Sequence, residues 1–252
     1  MADILFLVEN LSKTFPDGTV ALKALNIQIS EGECLLIAGS NGSGKTLLMR
    51  MLVGLGEPSS GKIFFKGKEL RSSIQAVRRS VGLVFQDADA QIVGETVAED
   101  IAFGPKNLKL DKEEVQSRVE KALAATGLID KKDAPPRHLS GGEKRRLAVA
   151  GVLAMGCQSL IFDEPFANLD WPGVVQVLQA LEKLKAEGKT IIILTHELEK
   201  ALALADRLVI LDKGSIRDDG APQEVLERGL AAYGIRNPLH CYTKVEDCTW
   251  LA

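Results

Sequence analysis

The sequence predicts an α/β protein with a mainly parallel sheet. Its second half reads as strand, helix and strand at residues 160–163, 173–187 and 190–195, an order typical of parallel strands joined by a crossover helix. In the first half, the apolar run 34–38 leads through a glycine-rich turn into a helical pattern at residues 45–55. Both halves therefore predict the same kind of sheet.

The remaining elements follow in chain order. Further strands are predicted at residues 4–8, 25–29, 62–65 and 81–85, and a further helix at residues 112–126. Few β signals occur between residues 87 and 156, so we interpret that stretch as a mainly helical insert. We assign residues 1–86 and 157–228 to the α/β core, and residues 229–252 to a C-terminal tail.

Composition limits the possible classes of function. Apolar residues make up 46% of the chain and charged residues 26%, which is typical of a globular domain. The 31 basic residues against 34 acidic ones give a net charge of −3, without the basic excess typical of non-specific nucleic-acid binding. We therefore expect no nucleic-acid partner.

The expected location is cytoplasmic. The longest uninterrupted apolar run, residues 147–157, has about half of the ~20 residues that a bilayer crossing requires. The N-terminus also lacks the basic start of a signal peptide.

The cysteines predict no disulfide framework. Cys34, Cys157, Cys241 and Cys248 show no CxxC spacing. Cys34 and Cys157 lie beside apolar strand-like runs, where a cysteine packs as a small hydrophobic residue. His240 could meet Cys241 and Cys248 at a metal ion, but the spacing is not of the zinc type, which favours an ordinary tail.

A phosphate-binding motif lies between the strand 34–38 and the helix that follows it. It matches the GxxxxGK[ST] pattern of a P-loop and consists of Gly39, Ser40, Asn41, Gly42, Ser43, Gly44, Lys45 and Thr46. Glycines let backbone N–H groups turn towards phosphate oxygens, and the helix start adds its own donors. We expect Lys45 to neutralise the β and γ phosphates of a bound nucleotide, and the Thr46 hydroxyl to bind Mg²⁺. The alternative is a glycine-rich turn without a ligand.

Two further motifs bear polar groups at element ends. Ser140, Gly141 and Gly142 precede the helical run 144–154, and they offer a second anion-binding helix start, although an ordinary helix start would look the same. Asp163 and Glu164 end the apolar strand 160–163, at the position where α/β sheets bind ligands. Buried acids at that position require a cation.

Together these motifs resemble those of the ABC ATPase family, in the same order and over nearly the whole chain. The motifs are the P-loop, Gln86 as the Q-loop, the LSGGE signature at residues 139–143, the Walker B strand with Asp163-Glu164-Pro165, the D-loop at residues 167–170 and His196 as the switch histidine. The resemblance implies a P-loop core with an N-terminal antiparallel β-subdomain and an inserted helical subdomain. It also implies an ATP sandwich, in which the P-loop of one chain faces the signature of a second, identical or homologous chain.

The resemblance assigns the chemistry to single residues. Asp163 supports Mg²⁺, and Glu164 orients and deprotonates the attacking water. Gln86 touches both metal and water, and His196 hydrogen-bonds the γ phosphate. Phe15 stands where an aromatic ring stacks on adenine, with edge packing as the alternative. The chain departs from the family at Phe166, where threonine is commoner, and at Phe15, where tyrosine is frequent.

The stretch 86–105 most resembles the energy-coupling-factor importers and their cobalt or nickel relatives. The resemblance implies uptake of a vitamin or metal ion, with membrane subunits docking near this stretch at the cytoplasmic face of the membrane. A helix-in-groove contact needs apolar anchors, and the candidates are Ile92, Val93, Val97 and Phe103. These residues could instead pack the core of the insert. The alternative function is a non-transport ABC ATPase acting on nucleic acid or ribosomes.

Overall fold

The computed structural model describes residues 3–239. The strands are β1 (Ile4–Thr14), β2 (Val20–Ser30), β3 (Cys34–Ala38), β4 (Ser60–Phe65), β5 (Lys68–Glu69), β6 (Val81–Val84), β7 (Ser159–Asp163), β8 (Thr190–Thr195), β9 (Arg207–Asp212) and β10 (Ser215–Gly220). The helices are α1 (Lys45–Leu52), α2 (Leu70–Ser80), α3 (Val97–Asn107), α4 (Lys112–Thr126), α5 (Gly141–Met155), α6 (Trp171–Ala186), α7 (Leu198–Ala201) and α8 (Pro222–Arg228). Short 3-10 turns lie at Ile129–Lys131, Pro136–His138, Leu202–Leu204 and Ala231–Tyr233.

The central sheet has the strand order β10-β9-β3-β8-β7-β6. Strands β9, β3, β8, β7 and β6 are parallel, and only β10 pairs antiparallel. Every residue of β3, β7 and β8 is buried, because helices or the second sheet cover both faces of a parallel sheet. The predicted mainly parallel sheet is confirmed.

A second, antiparallel sheet has the order β2-β1-β4-β5. Its inner face shares one apolar core with α1 and the central sheet, and the Phe6 and Phe65 rings lie 5.3 Å apart between centroids. The N-terminal antiparallel subdomain implied by the family resemblance is therefore confirmed.

Helices α3, α4 and α5 pack on one another around a separate core that includes Val97, Ile101, Leu123 and Leu147. Side chains cap the first two of these helices: Thr96 accepts from the Glu99 N–H, and Asp111 accepts from the Glu114 N–H. The helical character predicted for this region is present, and helix α3 is an addition that the sequence did not predict.

Several elements differ from the predictions. Strands β1 and β2 are longer than the predicted 4–8 and 25–29 and form a hairpin. Helix α1 ends at Leu52 rather than at residue 55, and Gly54 just beyond it has a φ of +71°. Elements α2, β9, β10 and α8 were not predicted. Strand β10 is highly polar, and its pairing to β9 is supported by Arg207, which donates to both carboxylate oxygens of Asp219.

Cys34 and Cys157 are buried free thiols, as predicted. His240, Cys241 and Cys248 lie outside the described residues. None of the helices within residues 3–239 combines the length and the apolar character that a bilayer crossing requires.

Candidate active site

The carboxyl ends of four neighbouring strands bring the predicted residues to one edge of the central sheet. Ala38 pairs with Thr195, Asp163 with Leu194 and Val84 with Phe162. Since the strands are parallel, the segments that follow them leave the sheet side by side. The P-loop, His196, Glu164 and the Q-loop therefore start at adjacent positions.

The P-loop backbone requires its glycines. A Cβ at Gly39 would lie 2.2 Å from the Leu211 carbonyl oxygen. Gly44 has a φ of +109°, and a Cβ there would lie 2.7 Å from the Leu22 side chain. No side chain caps the start of α1, so its first N–H groups are available to an anion.

Lys45 is almost fully buried at this loop. Its ammonium donates to the carbonyls of Gly39 (2.6 Å) and Ser40 (3.2 Å) and lies 3.7 Å from a Glu164 carboxylate oxygen. Burial lowers the pKa of Lys45, although the nearby carboxylates of Glu164 and Asp163 oppose that shift. The Gly39 and Ser40 carbonyls thus bind the Lys45 ammonium, which phosphate oxygens would also attract.

Asp163 ends β7 with one carboxylate oxygen lacking a partner. Thr46 Oγ1 donates to Asp163 Oδ2 at 2.8 Å, whereas Asp163 Oδ1 is buried and has no hydrogen bond. Burial raises the pKa of Asp163, more than the Thr46 hydrogen bond lowers it. An orphaned carboxylate oxygen beside a hydroxyl fits Mg²⁺, which prefers oxygen ligands.

Glu164 is held in an unusual backbone conformation. Its φ is +49°, and its N–H donates to the Leu194 carbonyl at 2.8 Å. Thr195 Oγ1 donates to Glu164 Oε2 at 2.8 Å, and His196 Nδ1 lies 2.9 Å from Oε1. A non-glycine residue with positive φ persists where its surroundings fix it, and such residues cluster at active sites. The structure thus brings Glu164, His196 and Lys45 together.

Gln86 is not brought into this cluster. Its side chain is exposed, and within residues 3–239 no hydrogen bond joins it to Asp163, Glu164 or Thr46. Gln91, which the sequence reasoning missed, instead receives the Phe85 N–H and donates to the Leu83 carbonyl. Nothing in the local sequence pattern distinguishes Gln91 from a surface glutamine.

Phe15 lies in the turn between β1 and β2, and the residue is 41% exposed. The Lys13 ammonium lies 5.8 Å from the ring centroid. Gly44 packs against Ala21 and Leu22 at the start of β2, which places this hairpin against the P-loop. The Phe15 ring is accessible to a stacking partner.

The signature segment begins α5 with a capping box. Glu143 N–H donates to Ser140 Oγ (3.3 Å), and Ser140 N–H donates to Glu143 Oε2 (2.8 Å). The Ser140 N–H bond to the carboxylate lowers the pKa of Glu143. Ser140 and Gly141 are exposed, and a Cβ at Gly141 would meet no atom within 4 Å. The capping box is what an ordinary helix start would show, as the alternative interpretation predicts. The segment also leaves the side of Ser140 and Gly141 open.

The fold and this cluster define a P-loop ATPase. The family model described as ABC transporter matches residues 22–167. The chain belongs to the ABC transporter family, as an ATP-binding subunit that hydrolyses ATP, and the predicted family is confirmed.

The relatives include importer subunits. The energy-coupling factor transporter ATP-binding protein EcfA of Methanocaldococcus jannaschii is 44% identical over 214 residues, covering 84% of this chain and 77% of that protein. The cobalt import ATP-binding protein CbiO of Rhodobacter capsulatus is 44% identical over 236 residues, covering 92% and 84%.

Solved structures share the fold over most of the chain. The cbiO1 of Clostridium perfringens, part of the ABC transporter complex cbiONQ, matches with a TM-score of 0.80 and 39% identity, covering 91% of this chain and 95% of that one. A dimeric ATP-binding cassette in a post-hydrolysis state with ADP and Pi matches with a TM-score of 0.79 and 28% identity, covering 86% and 99%.

Proposed function

We propose that this chain binds ATP with Mg²⁺ and powers the import of a micronutrient, a vitamin or a cobalt or nickel ion, from the cytoplasmic face of the membrane. The observation that carries the chemistry is the convergence of Lys45, Thr46, Asp163, Glu164 and His196 at one sheet edge. The importer class is supported by relatives named as energy-coupling-factor and cobalt import subunits. Residues 1–86 and 157–228 form the proposed core, with 87–156 inserted.

In the proposed mechanism, the P-loop amides and Lys45 bind the β and γ phosphates, and Phe15 stacks on adenine. Lys45 exchanges its contacts with Glu164 and with the Gly39 and Ser40 carbonyls for phosphate oxygens. Thr46 and Asp163, with Gln86, would hold Mg²⁺, which supplies charge neutralisation at the phosphates. Asp163 Oδ1, buried without a partner, is the atom that most needs that cation.

Glu164 accepts the proton of the attacking water. Thr195 and His196 fix its carboxylate, so the base is oriented before ATP arrives. His196 then has a second role at the γ phosphate, for which its side chain, about half exposed, is accessible. Gln86 reaches the site only if its side chain turns towards the cluster, since it is exposed outside it.

The second face of ATP comes from another cassette. Ser140, Gly141 and Gly142 make no hydrogen bond to residues 39–46 in the described part of the chain, and their face is open. A donor set of this kind is useful when it is directed at a phosphate that a second chain holds. The dimeric cassette of similar fold supports this arrangement.

The membrane subunits dock in a groove between the core and the helices α3 and α5. The groove has a volume of about 290 Å³, and it includes the exposed apolar side chains Leu55, Val93 and Phe103. Of the other sequence candidates, Val97 is fully buried and Ile92 packs against the core of the helices. The insert-core alternative is therefore right for those two, and the docking proposal rests on Val93 and Phe103.

Cross-linking in the native membrane complex tests the proposal. Cysteine at Val93 or Phe103, which are 60% and 53% exposed, should trap a membrane subunit with a yield that differs between ATP and ADP. Ile129→Cys is the control, because it is 56% exposed and lies outside the groove. Gly94, the residue after Val93, is unsuitable as a cysteine position, since a Cβ there would lie 2.3 Å from the Asp100 amide nitrogen. Equal trapping from Ile129 and from the groove positions would refute the docking site.

A further inference from the structure

A buried arginine links the signature helix to the Q-loop. Arg145, in the second turn of α5, is 4% exposed. Its Nη1 donates to the Phe85 carbonyl oxygen at 3.0 Å. That carbonyl belongs to the peptide whose nitrogen is that of Gln86. The bond therefore fixes the plane of the peptide that enters the Q-loop.

The same segment is held on two more sides. The Phe85 N–H is bound by Gln91 Oε1 at 3.1 Å, and Lys144, next to Arg145, pairs with Asp89 at 2.6 Å. The Gln86 side chain itself is exposed. The Gln86 backbone is thus restrained by its neighbours, whereas its side-chain amide stays free to turn.

The location of Arg145 is costly for a charge. A buried guanidinium loses hydration and needs compensating partners. Burial lowers the pKa of Arg145, and the carboxylates of Asp163, Glu164 and Asp87 oppose that shift. An apolar residue would fill the interface between α5 and β6 without this cost, so a role for the donor itself is favoured over packing.

We propose that Arg145 is a positioning residue for hydrolysis, which acts by orienting the Phe85–Gln86 peptide so that the Gln86 side chain can reach the metal and the attacking water. The inference rests on the role proposed above for Gln86. It assigns no substrate contact to Arg145. If Arg145 acts through Gln86, removing the Arg145 donor should lower turnover only when Gln86 is present.

A double-mutant cycle tests this requirement, because residues that act through one another give non-additive effects. The turnover number and KM for ATP are measured in the full chain for Arg145→Gln, Gln86→Ala and the double variant. We expect Arg145→Gln to lower the turnover number by about 10-fold, as expected for loss of a charge-assisted hydrogen bond. In the Gln86→Ala background, Arg145→Gln should lower the turnover number by less than about 2-fold.

Arg145→Lys separates orientation from charge, and it also serves if Arg145→Gln does not fold. Lysine keeps the positive charge near Asp163 and Glu164 but lacks the planar fork of arginine. We expect Arg145→Lys to lower turnover with wild-type Gln86 and not with Gln86→Ala. Full turnover in Arg145→Lys, together with additive losses for Arg145→Gln and Gln86→Ala, would show that only the charge matters, and it would overturn the positioning role.

Arg118→Gln is the matched control. Arg118 donates to the carbonyls of Ala154 and Met155 at the opposite end of α5, so its loss removes arginine–carbonyl bonds from the same helix without touching Phe85. We expect its effect on turnover to be the same with and without Gln86. Additive losses for Arg145 and Gln86 would refute the inference alone, whereas unchanged turnover in Gln86→Ala would refute the proposed role of Gln86.

Discussion

Replacing Glu164 with glutamine separates its proposed catalytic role from its structural one. The carboxylate oxygen lies 3.7 Å from the Lys45 ammonium, and both side chains are 5% exposed. At an effective dielectric constant of about 20, the attraction at that distance is about 4 kcal/mol before desolvation is counted. Breaking a buried pair by removing one partner costs about 3–5 kcal/mol. Lys45 keeps its carbonyl acceptors at Gly39 and Ser40. We therefore expect Glu164→Gln to lower the free energy of unfolding by about 3 kcal/mol, the low end of that range.

Bound ATP should reverse this loss. The phosphates replace Glu164 as the partner of Lys45, so ATP should raise the melting temperature of Glu164→Gln more than that of the wild type. The amide cannot accept a proton, and hydrolysis should fall by about 10²-fold or more while ATP still binds. Thermal unfolding with and without Mg²⁺-ATP, together with phosphate release, measures both effects. An equal rise in melting temperature for the two proteins would refute the exchange of partners at Lys45.

Three further predictions concern the same site. Lys45→Ala should weaken ATP binding and lower turnover by about 10-fold or more, measured beside the surface control Lys112→Ala; unchanged turnover would remove the P-loop assignment. Gly39→Ala should lose ATP binding and stability, because the new Cβ must displace the Leu211 carbonyl from 2.2 Å; a normal melting temperature would contradict that geometry. Burial raises the pKa of Asp163 above its usual value of 3.8, so the folded state binds this proton more tightly than the unfolded one. Without metal, the free energy of unfolding of the wild type should therefore rise relative to Asp163→Asn as pH falls from about 7 towards 4, and a fall in that difference would contradict the sign.

The sequence was most informative where chemistry constrains residue type. The P-loop glycines and Lys45 could be predicted from the motif pattern, and the structure explains two of the glycines, because a Cβ at Gly39 or Gly44 would collide with Leu211 or Leu22. Strands β3, β7 and β8 were predicted because continuous apolar runs mark strands buried on both faces.

Other elements carry no local signal. Strand β10 reads as a polar loop, and its structure comes from pairing to β9 and from the Arg207–Asp219 contact. Helix α3 contains Pro105 and follows a loop, so its pattern is weak, and Thr96 capping and packing against α5 support it. The Arg145 contact joins α5 to Phe85, which lies 60 residues away along the chain. Gln91 contacts Phe85 and Leu83, only 6 and 8 residues away, but no sequence pattern marks it as the residue that holds this loop.

The central claim is that two cassettes enclose ATP head to tail, and the mass of the Glu164→Gln chain in saturating Mg²⁺-ATP tests it most directly. Light scattering should give twice the chain mass of 27.2 kDa with ATP and the single mass with ADP, because slow hydrolysis preserves the sandwich. The same chain carrying Lys45→Ala should remain at the single mass in both nucleotides. A Glu164→Gln chain that retains the single mass while bound ATP is measured in the same sample would contradict the account.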